Sequence, residues 1–533
     1  MSGPIKTSVF DQYARQHRKH QQEAIESALS SPIGQVIIPT GTGKTRIQVH
    51  LHIKDMLEKA TNDKSGVYLI AAHRLILCRQ LIMQLIDLVA ACNLPFDVVF
   101  VGSDKVDEDD IYERHMIDDV SKKTTFITAT TKQVDIRNAV DAAGFRGRHV
   151  LIVSTYHSLD HLRMLTSIDV ATYDEAHTIA SSRDSEDNFE AHVKEIQKLN
   201  IIKRQYFFTA TRKVSGVLWG MNNKSIYGDV IYESSPREMI LAGEIVPPRV
   251  HRVVPKDTGE FKNDTMLVKT IEDAFLKHKS AVSNASPRAG KIGAKLLISA
   301  EGTPEVRTII FNEDFQRWCI KNSVRLFVFS SILGTYMIDS DFKFCKASRN
   351  EVTDQMQSLK DEQDAILIHI DILSEGIDLP SITGVMPFRE LNLIKLLQTI
   401  GRASRLIKED RKSIYRGDVG PMEFNKMIKP YCWIIFPKLN TDTSEASKKM
   451  EEMLQTVLKL YDAPEMNFNR EDEYIGDPDN DLDPITPKDS ASKNDAVSEL
   501  DHVIEALMFK GDSVTVEELD KKLTAVINPA LRL

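Results

Sequence analysis

The chain has 533 residues, of which 42% are hydrophobic and 27% are charged, and this composition excludes a fibrous or largely disordered protein. The length exceeds what one compact core usually supports, so we expect about three units. The formal net charge of −9 is unevenly distributed, because the stretch 465–484 contains eight acidic residues and a single arginine as its only basic residue. A basic groove elsewhere on the chain therefore remains compatible with nucleic-acid binding.

The cysteines and the N-terminus limit the compartment. Five cysteines lie far apart without a C-x-x-C pair, which argues against a disulfide framework and against a zinc site. The N-terminus has no apolar signal core, and no apolar run reaches the roughly 20 residues of a membrane helix. We therefore expect an intracellular protein, cytoplasmic if its source is prokaryotic or a phage, without a signal peptide or transmembrane segment.

From Gly34 to Thr211 the sequence alternates short β-branched runs with turns and helix-like stretches. The runs are QVIIPT, GVYLIAAH, FDVVFVGS, TTFITATT, HVLIVSTY, IDVATYDEAH and RQYFFTAT. Near-continuous apolar runs separated by helical patterns indicate a parallel sheet covered on both faces.

A second series of the same kind follows the proline pair Pro247 and Pro248. Its strands are AKLLISAEG, VRLFVFSS, AILIHIDILSEG and ITGVMPF, and its helices are TPEVRTIIFNEDFQRWC and ELNLIKLLQTIGRASRL. Consecutive prolines do not continue a helix or a central strand, so the boundary is placed there. The sequence thus predicts an α/β fold with domains at 1–246 and 247–440.

The remaining region, 441–533, is predicted to be a mostly helical extension. An apolar stripe from Met450 to Tyr461 favours a helix docked on the second domain. The stretch 465–495 is predicted to be an acidic, solvated linker rather than a partner site. We expect such a tether to carry the last helices to a protein partner.

The segment IIPTGTGKTRI is typical of a strand that runs into a glycine-rich phosphate loop and then a helix. Glycines let backbone N–H groups face a phosphate chain, the helix presents its positive end, the lysine reaches the β- and γ-phosphates, and the threonine hydroxyl binds Mg²⁺. Ile38 occupies the first glycine position of the usual pattern, which is a departure. The predicted ATP-binding loop comprises Pro39, Thr40, Gly41, Thr42, Gly43, Lys44 and Thr45.

The segment VATYDEAH places two carboxylates at the end of an apolar strand. Asp174 is suited to hold the magnesium shell, and Glu175 is suited to orient and deprotonate a water aimed at the γ-phosphate. Alone, four such residues could equally be an acidic turn, but their position downstream of the phosphate loop favours the catalytic interpretation.

Five segments in order, IPTGTGKT, DEAH, TAT, SEGID and QTIGRASR, resemble the motifs of superfamily-two DEAD/DEAH-box-type helicases and translocases. The resemblance spans roughly Gln21 to Leu406. It implies two tandem RecA-like domains, ATP and Mg²⁺ as cofactors, and nucleic acid as partner. VFVGSD and TATTK add a narrower likeness to phage recombination helicases and restriction-system motor subunits, which favours DNA. RNA stays open as an alternative, because contacts to phosphates do not read the sugar.

The resemblance also implies roles for single residues. Gln21, or the adjacent Gln22, matches the glutamine that reads adenine, and Arg402 and Arg405 match the arginines that neutralise charge on the transferring phosphoryl group. Two residues of LSEGIDLP match the motif that contacts ribose, namely Gly376 and Asp378. The residues expected to couple hydrolysis to movement are His177, Thr209, Ala210, Thr211 and Gln398.

The same resemblance implies where nucleic acid is contacted. The candidate residues are His73, Arg74, Ser154, Thr155, Gly302 and Thr303. Hydroxyls and backbone N–H groups on phosphates would permit tracking that does not depend on base sequence. For His73 a helix cap is an equally good interpretation.

The resulting expectation is an ATP-dependent DNA helicase or translocase. One alternative is a double-stranded DNA translocase without strand separation, and one from another class is a nucleotide-gated binding module. The presence of Glu175 and both arginines argues against the binding module, because a protein that only clamps nucleic acid would not need residues for hydrolysis. The sequence carries no recognisable nuclease or methyltransferase constellation, so DNA cleavage would require another protein.

Overall fold

The computed structural model describes residues 4–73, 75–102, 127–181, 188–215, 219–253, 264–300, 302–330, 332–370, 381–388, 393–437 and 445–461. They form two compact units. The first ends at Ser234 and the second begins at Ser235, except that Thr40–Thr42 are grouped with the second.

The helices and strands are as follows. The helices are α1 Thr7–Arg15, α2 Lys19–Leu29, α3 Lys44–Ala60, α4 Leu75–Ala91, α5 Gln133–Phe145, α6 His177–Ser181, α7 Phe189–Lys198, α8 Lys224–Tyr227, α9 Pro236–Leu241, α10 Asp264–Ser283, α11 Thr303–Phe311, α12 Glu313–Lys321, α13 Arg349–Gln357, α14 Leu393–Ala403, α15 Lys408–Tyr415 and α16 Glu445–Leu460. The strands are β1 Ile33–Ile37, β2 Val67–Ala72, β3 Phe96–Val101, β4 Ile127–Ala129, β5 His149–Thr155, β6 Ile168–Asp174, β7 Ile202–Thr209, β8 Val214–Ser215, β9 Trp219–Gly220, β10 Asp229–Glu233, β11 Pro248–Val253, β12 Lys295–Ser299, β13 Arg325–Ser330, β14 Gly334–Ile338, β15 Phe344–Ala347, β16 Ala365–His369, β17 Gly384–Pro387 and β18 Cys432–Pro437.

The first unit is built on an eight-stranded sheet in the order β10-β1-β7-β6-β2-β5-β3-β4, with every pair parallel. Strand β2 shows why the strands of this unit are continuous apolar runs in the sequence. Tyr68 and Ile70 belong to the core that α2, α3 and α4 cover, whereas Leu69 and Ala71 belong to the core under α5, α6 and α7. Both faces are buried, so both sets of alternate residues are apolar.

The second unit has its own eight-stranded sheet, in the order β11-β18-β17-β12-β16-β13-β14-β15. The strands pair in parallel from β11 to β13, and the hairpin of β14 and β15 adds two antiparallel strands. Pro248 begins β11 at the sheet edge, where a missing N–H removes no central ladder bond. The prediction of two tandem RecA-like domains is confirmed.

Two helical predictions in the second unit have different outcomes. The segment predicted as one helix, TPEVRTIIFNEDFQRWC, is two helices, because the side chain of Asn312 accepts a hydrogen bond from the Phe315 N–H at 2.9 Å and caps α12. The predicted docked helix is confirmed as α16, whose Leu454, Val457 and Tyr461 share a core with the rest of the second unit. The acidic linker 465–495 and the chain beyond it lie outside the described residues.

Candidate nucleotide-binding site

In the first unit the predicted motifs meet at one edge of the sheet. The phosphate loop follows β1, Asp174 ends β6 and Thr209 ends β7, and these three strands are neighbours in the order β1-β7-β6. In a parallel sheet the carboxyl ends of all strands lie on the same side, which is where such folds bind ligands. The order of strands therefore brings together residues that are far apart in sequence.

The phosphate loop has the backbone that its glycines predict. Gly41 and Gly43 have φ of 89° and 101°, in the left-handed region, and α3 begins at Lys44 without a side-chain cap. An uncapped helix start directs backbone N–H groups and a partial positive charge toward an anion. The loop is thus shaped for a phosphate chain.

Gln21 lies against this loop. It is fully buried, its side-chain oxygen Oε1 accepts a hydrogen bond from the Arg18 N–H at 3.1 Å, and a Cβ atom at Gly43 would overlap its side-chain nitrogen Nε2. Gln22 is exposed and donates instead to the carbonyl of His17 at 3.1 Å. Of the two glutamines that the sequence offered, Gln21 is the one at the loop.

The lysine of the loop and the two carboxylates are joined through side chains. The Nζ atom of Lys44 lies 3.1 Å from Oε1 of Glu175, and Nε2 of Gln48 donates to Oδ1 of Asp174 at 2.9 Å. Glu175 has φ of 51°, so the chain turns sharply at the end of β6. Gln48 is a site residue that sequence reasoning missed, although it is one helical turn beyond Lys44.

The two carboxylates differ in their affinity for protons. Burial, reinforced by the charge of Glu175, raises the pKa of Asp174 to about 6. Burial also acts against ionisation of Glu175, but the adjacent Lys44 and His177 outweigh it and lower its pKa to about 2. At neutral pH Glu175 is therefore a firmly ionised carboxylate that is paired with the loop lysine.

His177 connects the carboxylates to the TAT segment. Its Nδ1 lies 3.0 Å from Oγ1 of Thr209 and 3.4 Å from Oε2 of Glu175. The Thr209 hydroxyl donates to the carbonyl of Thr211 at 2.8 Å, so it accepts from His177, and Nδ1 carries the proton. Burial lowers the pKa of His177 to about 4, which keeps the ring neutral.

The candidate nucleic-acid contacts of the first unit lie on the next strands of the same edge. His73 follows β2, and Ala72 of β2 pairs with Thr155 of β5. Ser154 is fully buried and donates to the carbonyl of Thr155 at 2.9 Å, whereas the half-buried Thr155 donates to Oγ of Ser158 at 3.1 Å. Arg74 lies outside the described residues.

In the second unit, Gly302 and Thr303 lie after the carboxyl end of β12. Thr303 begins α11, and the Gly302 N–H donates to the carboxylate of Glu305 at 2.8 Å. Gln398 and Arg402 lie on α14 and are buried. Gly376 and Asp378 lie outside the described residues.

Arg405 follows α14 in a turn that a buried lysine supports. Lys429 donates through Nζ to the carbonyls of Ala403 and Arg405, at 2.5 Å and 2.7 Å, and Val246 N–H donates to the carbonyl of Ser404 at 2.8 Å. Three successive carbonyls at the end of the arginine helix are thus satisfied. Nothing in the sequence around Lys429 pointed to this role.

The residues of the first unit fit a nucleotide with Mg²⁺. Magnesium prefers one or two carboxylates together with substrate phosphates and waters, and Asp174 with the Thr45 hydroxyl offers such oxygens. The buried Oε1 atom of Gln48 has no hydrogen-bond partner in the structure, next to the carboxylate that its own amide nitrogen binds. Within the described ranges no group of three or more His, Cys, Asp or Glu residues forms a dedicated metal cage.

None of the helices in the described part of the chain is long and apolar enough to cross a membrane.

No curated protein matches the sequence. Among solved structures, the ATP-dependent Type ISP restriction-modification enzyme LlaBIII bound to DNA shares the fold, with a TM-score of 0.56 and 18% identity over 84% of this chain. The chain spans only 30% of that enzyme.

Two other solved structures are similar at lower scores. A fragment of an HsdR subunit of a type I restriction enzyme from Vibrio vulnificus YJ016 has a TM-score of 0.46 and 17% identity, over 86% of this chain and 70% of that one. The Mycobacterium smegmatis helicase Lhr bound to ssDNA and AMP-PNP has a TM-score of 0.48 and 14% identity, over 85% of this chain and 49% of that one.

Two protein families match the chain directly, one on each unit. Residues 15–214 match the family of the type III restriction enzyme, res subunit. Residues 295–406 match the helicase conserved C-terminal domain. These two matches, in this order, confirm the resemblance to superfamily-two helicases and translocases and the likeness to the motor subunits of restriction systems.

Proposed function

We propose that this protein is an ATP-driven motor that moves along DNA and separates or remodels its strands. The observation that carries the proposal is the ion pair of Lys44 with Glu175 at 3.1 Å, beside the bond of Gln48 to Asp174 at 2.9 Å. A lysine at a helix start with two half-buried carboxylates is an arrangement for phosphoryl transfer to water.

The roles divide as follows. Bound ATP with Mg²⁺ would supply the γ-phosphoryl group and the positive charge that balances it. Lys44 exchanges Glu175 for the β- and γ-phosphates, Gln21 recognises adenine, and Asp174 and Thr45 hold the metal. Glu175, released from Lys44, orients a water and accepts its proton.

Two arginines complete the hydrolytic set. We assign to Arg402 and Arg405 the neutralisation of charge on the transferring phosphoryl group. The support from the structure is that the turn between them is fixed by Lys429 and Val246, which hold the carbonyls of residues 403–405. An arginine on a well-fixed helix end loses less entropy when it binds a charged group.

The nucleic acid is proposed to lie along the carboxyl edges of the two sheets. Thr155 ends β5 and His73 follows β2, the strand beside β6, and the hydrogen bond of His177 to Thr209 joins the segment after Glu175 to β7. Bonds to phosphates from hydroxyls and backbone N–H groups track a strand without reading bases. DNA is favoured because the type ISP enzyme with this fold is bound to DNA.

A strand-displacement assay tests the proposal. Wild-type protein with ATP should release the labelled strand from forked DNA, whereas Glu175→Gln should not. Movement on blunt duplex that displaces a third strand, without separation of the duplex, would replace the proposal with a double-stranded DNA translocase. Binding that depends on nucleotide without stimulated hydrolysis would replace it with a nucleotide-gated binding module, and displacement on RNA alone would overturn DNA as substrate.

A further inference from the structure

Helix α3 carries a line of buried or half-buried polar side chains along the face that lies over β6. We name this line the polar stripe. Its members, spaced at three or four residues, are Lys44, Gln48, His52, Asp55 and Lys59. Residues at this spacing share one face of a helix.

Each member of the polar stripe beyond the nucleotide residues also binds β6 or a strand beside it. Nε2 of His52 lies 3.0 Å from Oγ1 of Thr172, and burial lowers the pKa of His52 to about 3, so this is a bond between neutral groups. Nζ of Lys59 lies 3.0 Å from Oδ1 of Asp169.

Asp55 makes two such contacts. It accepts a hydrogen bond from the hydroxyl of Tyr68 on β2 at 2.8 Å and is paired with Arg204 on β7. Both partners stand at the level of Val170, because that residue pairs with Tyr68 on one side and with Arg204 on the other.

These contacts fix the position of α3 along β6. Going down the helix from Lys44 to Lys59, the partners go down the strand from Glu175 to Asp169. A shift or rotation of the helix would leave several buried polar groups without partners. Each such group would destabilise the fold, because water cannot reach it to replace the lost hydrogen bond. The polar stripe therefore sets the height of the phosphate-loop lysine relative to the two carboxylates.

Within the polar stripe, Gln48 and His52 each have one buried polar atom without a hydrogen-bond partner, and that of Gln48 belongs to the side chain that binds Asp174. Its amide nitrogen binds Asp174 at 2.9 Å, but its Oε1 atom is buried without a hydrogen-bond partner. Buried amide oxygens are normally satisfied, and beside Asp174 a bound ligand would bring the donor for this one. Magnesium usually keeps several waters when carboxylates and phosphates bind it, and those waters are donors.

We propose that Gln48 is a positioning residue of the metal site. Its Nε2 holds one oxygen of Asp174, so that the other oxygen faces the metal, and its Oε1 accepts a hydrogen bond from a water on Mg²⁺. The inference rests on the proposed function, because it takes the site to bind ATP with magnesium. It assigns to Gln48 a contribution to metal affinity and none to nucleotide affinity without metal.

The test compares ADP binding with and without Mg²⁺ by calorimetry on the full chain. Gln48→Met keeps the side-chain length and removes both polar atoms. Loss of such an outer contact typically costs about 10- to 100-fold in metal affinity, so ADP should bind at least about 10-fold more weakly with Mg²⁺ and unchanged without it. Gln48→Asn, which keeps the amide but is one methylene shorter, should give the same pattern.

The matched control is His52→Phe, which breaks a bond of the polar stripe that touches neither carboxylate. Because the contacts of Asp55 and Lys59 still hold α3 on the sheet, this change should lower the unfolding temperature without changing the ratio of ADP affinities with and without Mg²⁺. A wild-type ratio in folded Gln48→Met and Gln48→Asn would overturn the inference, and so would an equal change in all three variants. Wild-type protein that binds no nucleotide would overturn the proposed function itself.

Discussion

Nζ of Lys44 lies 3.1 Å from Oε1 of Glu175, so the residue assigned to the phosphates and the residue assigned to the water are paired with each other. Their side chains are only 10% and 15% exposed, and each therefore depends on the other for neutralisation. A nucleotide that takes Lys44 would at the same time release Glu175. Substitution of Glu175 should therefore leave Lys44 available to the phosphates, whereas substitution of Lys44 removes the phosphate contact itself.

Lys44→Ala should reduce ATP hydrolysis to below roughly a tenth of the wild-type rate, since the loop loses the charge that binds the β- and γ-phosphates. The measurement is steady-state phosphate release with saturating DNA. Lys54→Ala, on the same helix but outside the polar stripe, is the matched control and should hydrolyse normally. Residual activity of Lys44→Ala near the control would contradict the assigned phosphate site.

Glu175→Gln should bind ATP and hydrolyse it slowly, with a loss of about 10²- to 10⁴-fold, because the amide keeps the shape and loses the base. Single-turnover hydrolysis and equilibrium ATP binding separate the two effects. Glu195→Gln, a glutamate on α7 away from the site, serves as control. If Glu175→Gln loses ATP binding instead, its main role is to position Lys44.

Arg402→Ala should lower kcat of DNA-stimulated hydrolysis far more than it raises KM, by about 10³-fold, as expected for a charge that acts mainly in the transition state. The control is Arg416→Ala, an exposed arginine at the end of α15. An increase confined to KM would show that Arg402 only binds substrate.

Much of the fold was predictable because hydrophobic period and turn residues are local signals. The single helix predicted across Asn312 failed because a side-chain cap competed with a favourable apolar pattern. The hairpin of β14 and β15 was missed because its residues alternate weakly and lie at a sheet edge, where burial no longer specifies the pattern.

The site was predictable where a motif carries its own chemistry, as at Lys44 and Glu175. Gln48 and Lys429 were missed because their partners, Asp174 and Arg405, are remote in sequence or act through backbone carbonyls. The role of a glutamine one turn after the phosphate loop cannot be predicted until the strand that packs against it is known. The choice between Gln21 and Gln22 likewise depended on which one faces the loop.

Lys429 is fully enclosed, and its hydrogen bonds explain why it is tolerated there. Burial lowers its pKa to about 7, well below that of an exposed lysine. A neutral amine still has two N–H donors, so the bonds to the carbonyls of Ala403 and Arg405 survive loss of the proton. Its backbone N–H is held by the carboxylate of Asp410 at 2.8 Å.

Lys429→Met should remove a pH-dependent part of the stability. Between pH 7 and about 10 the unfolded chain keeps the Lys429 proton and the folded chain releases it, so rising pH stabilises the wild type by up to about 1.4 kcal/mol per pH unit. The methionine variant lacks this gain. Lys295, whose pKa burial lowers to about 8, titrates in both proteins and largely cancels from the difference. Denaturant unfolding at pH 7, 8 and 9 should therefore show that the free energy of unfolding of the wild type rises relative to that of Lys429→Met at each step. If the two free energies change in parallel with pH, Lys429 stays protonated in the fold.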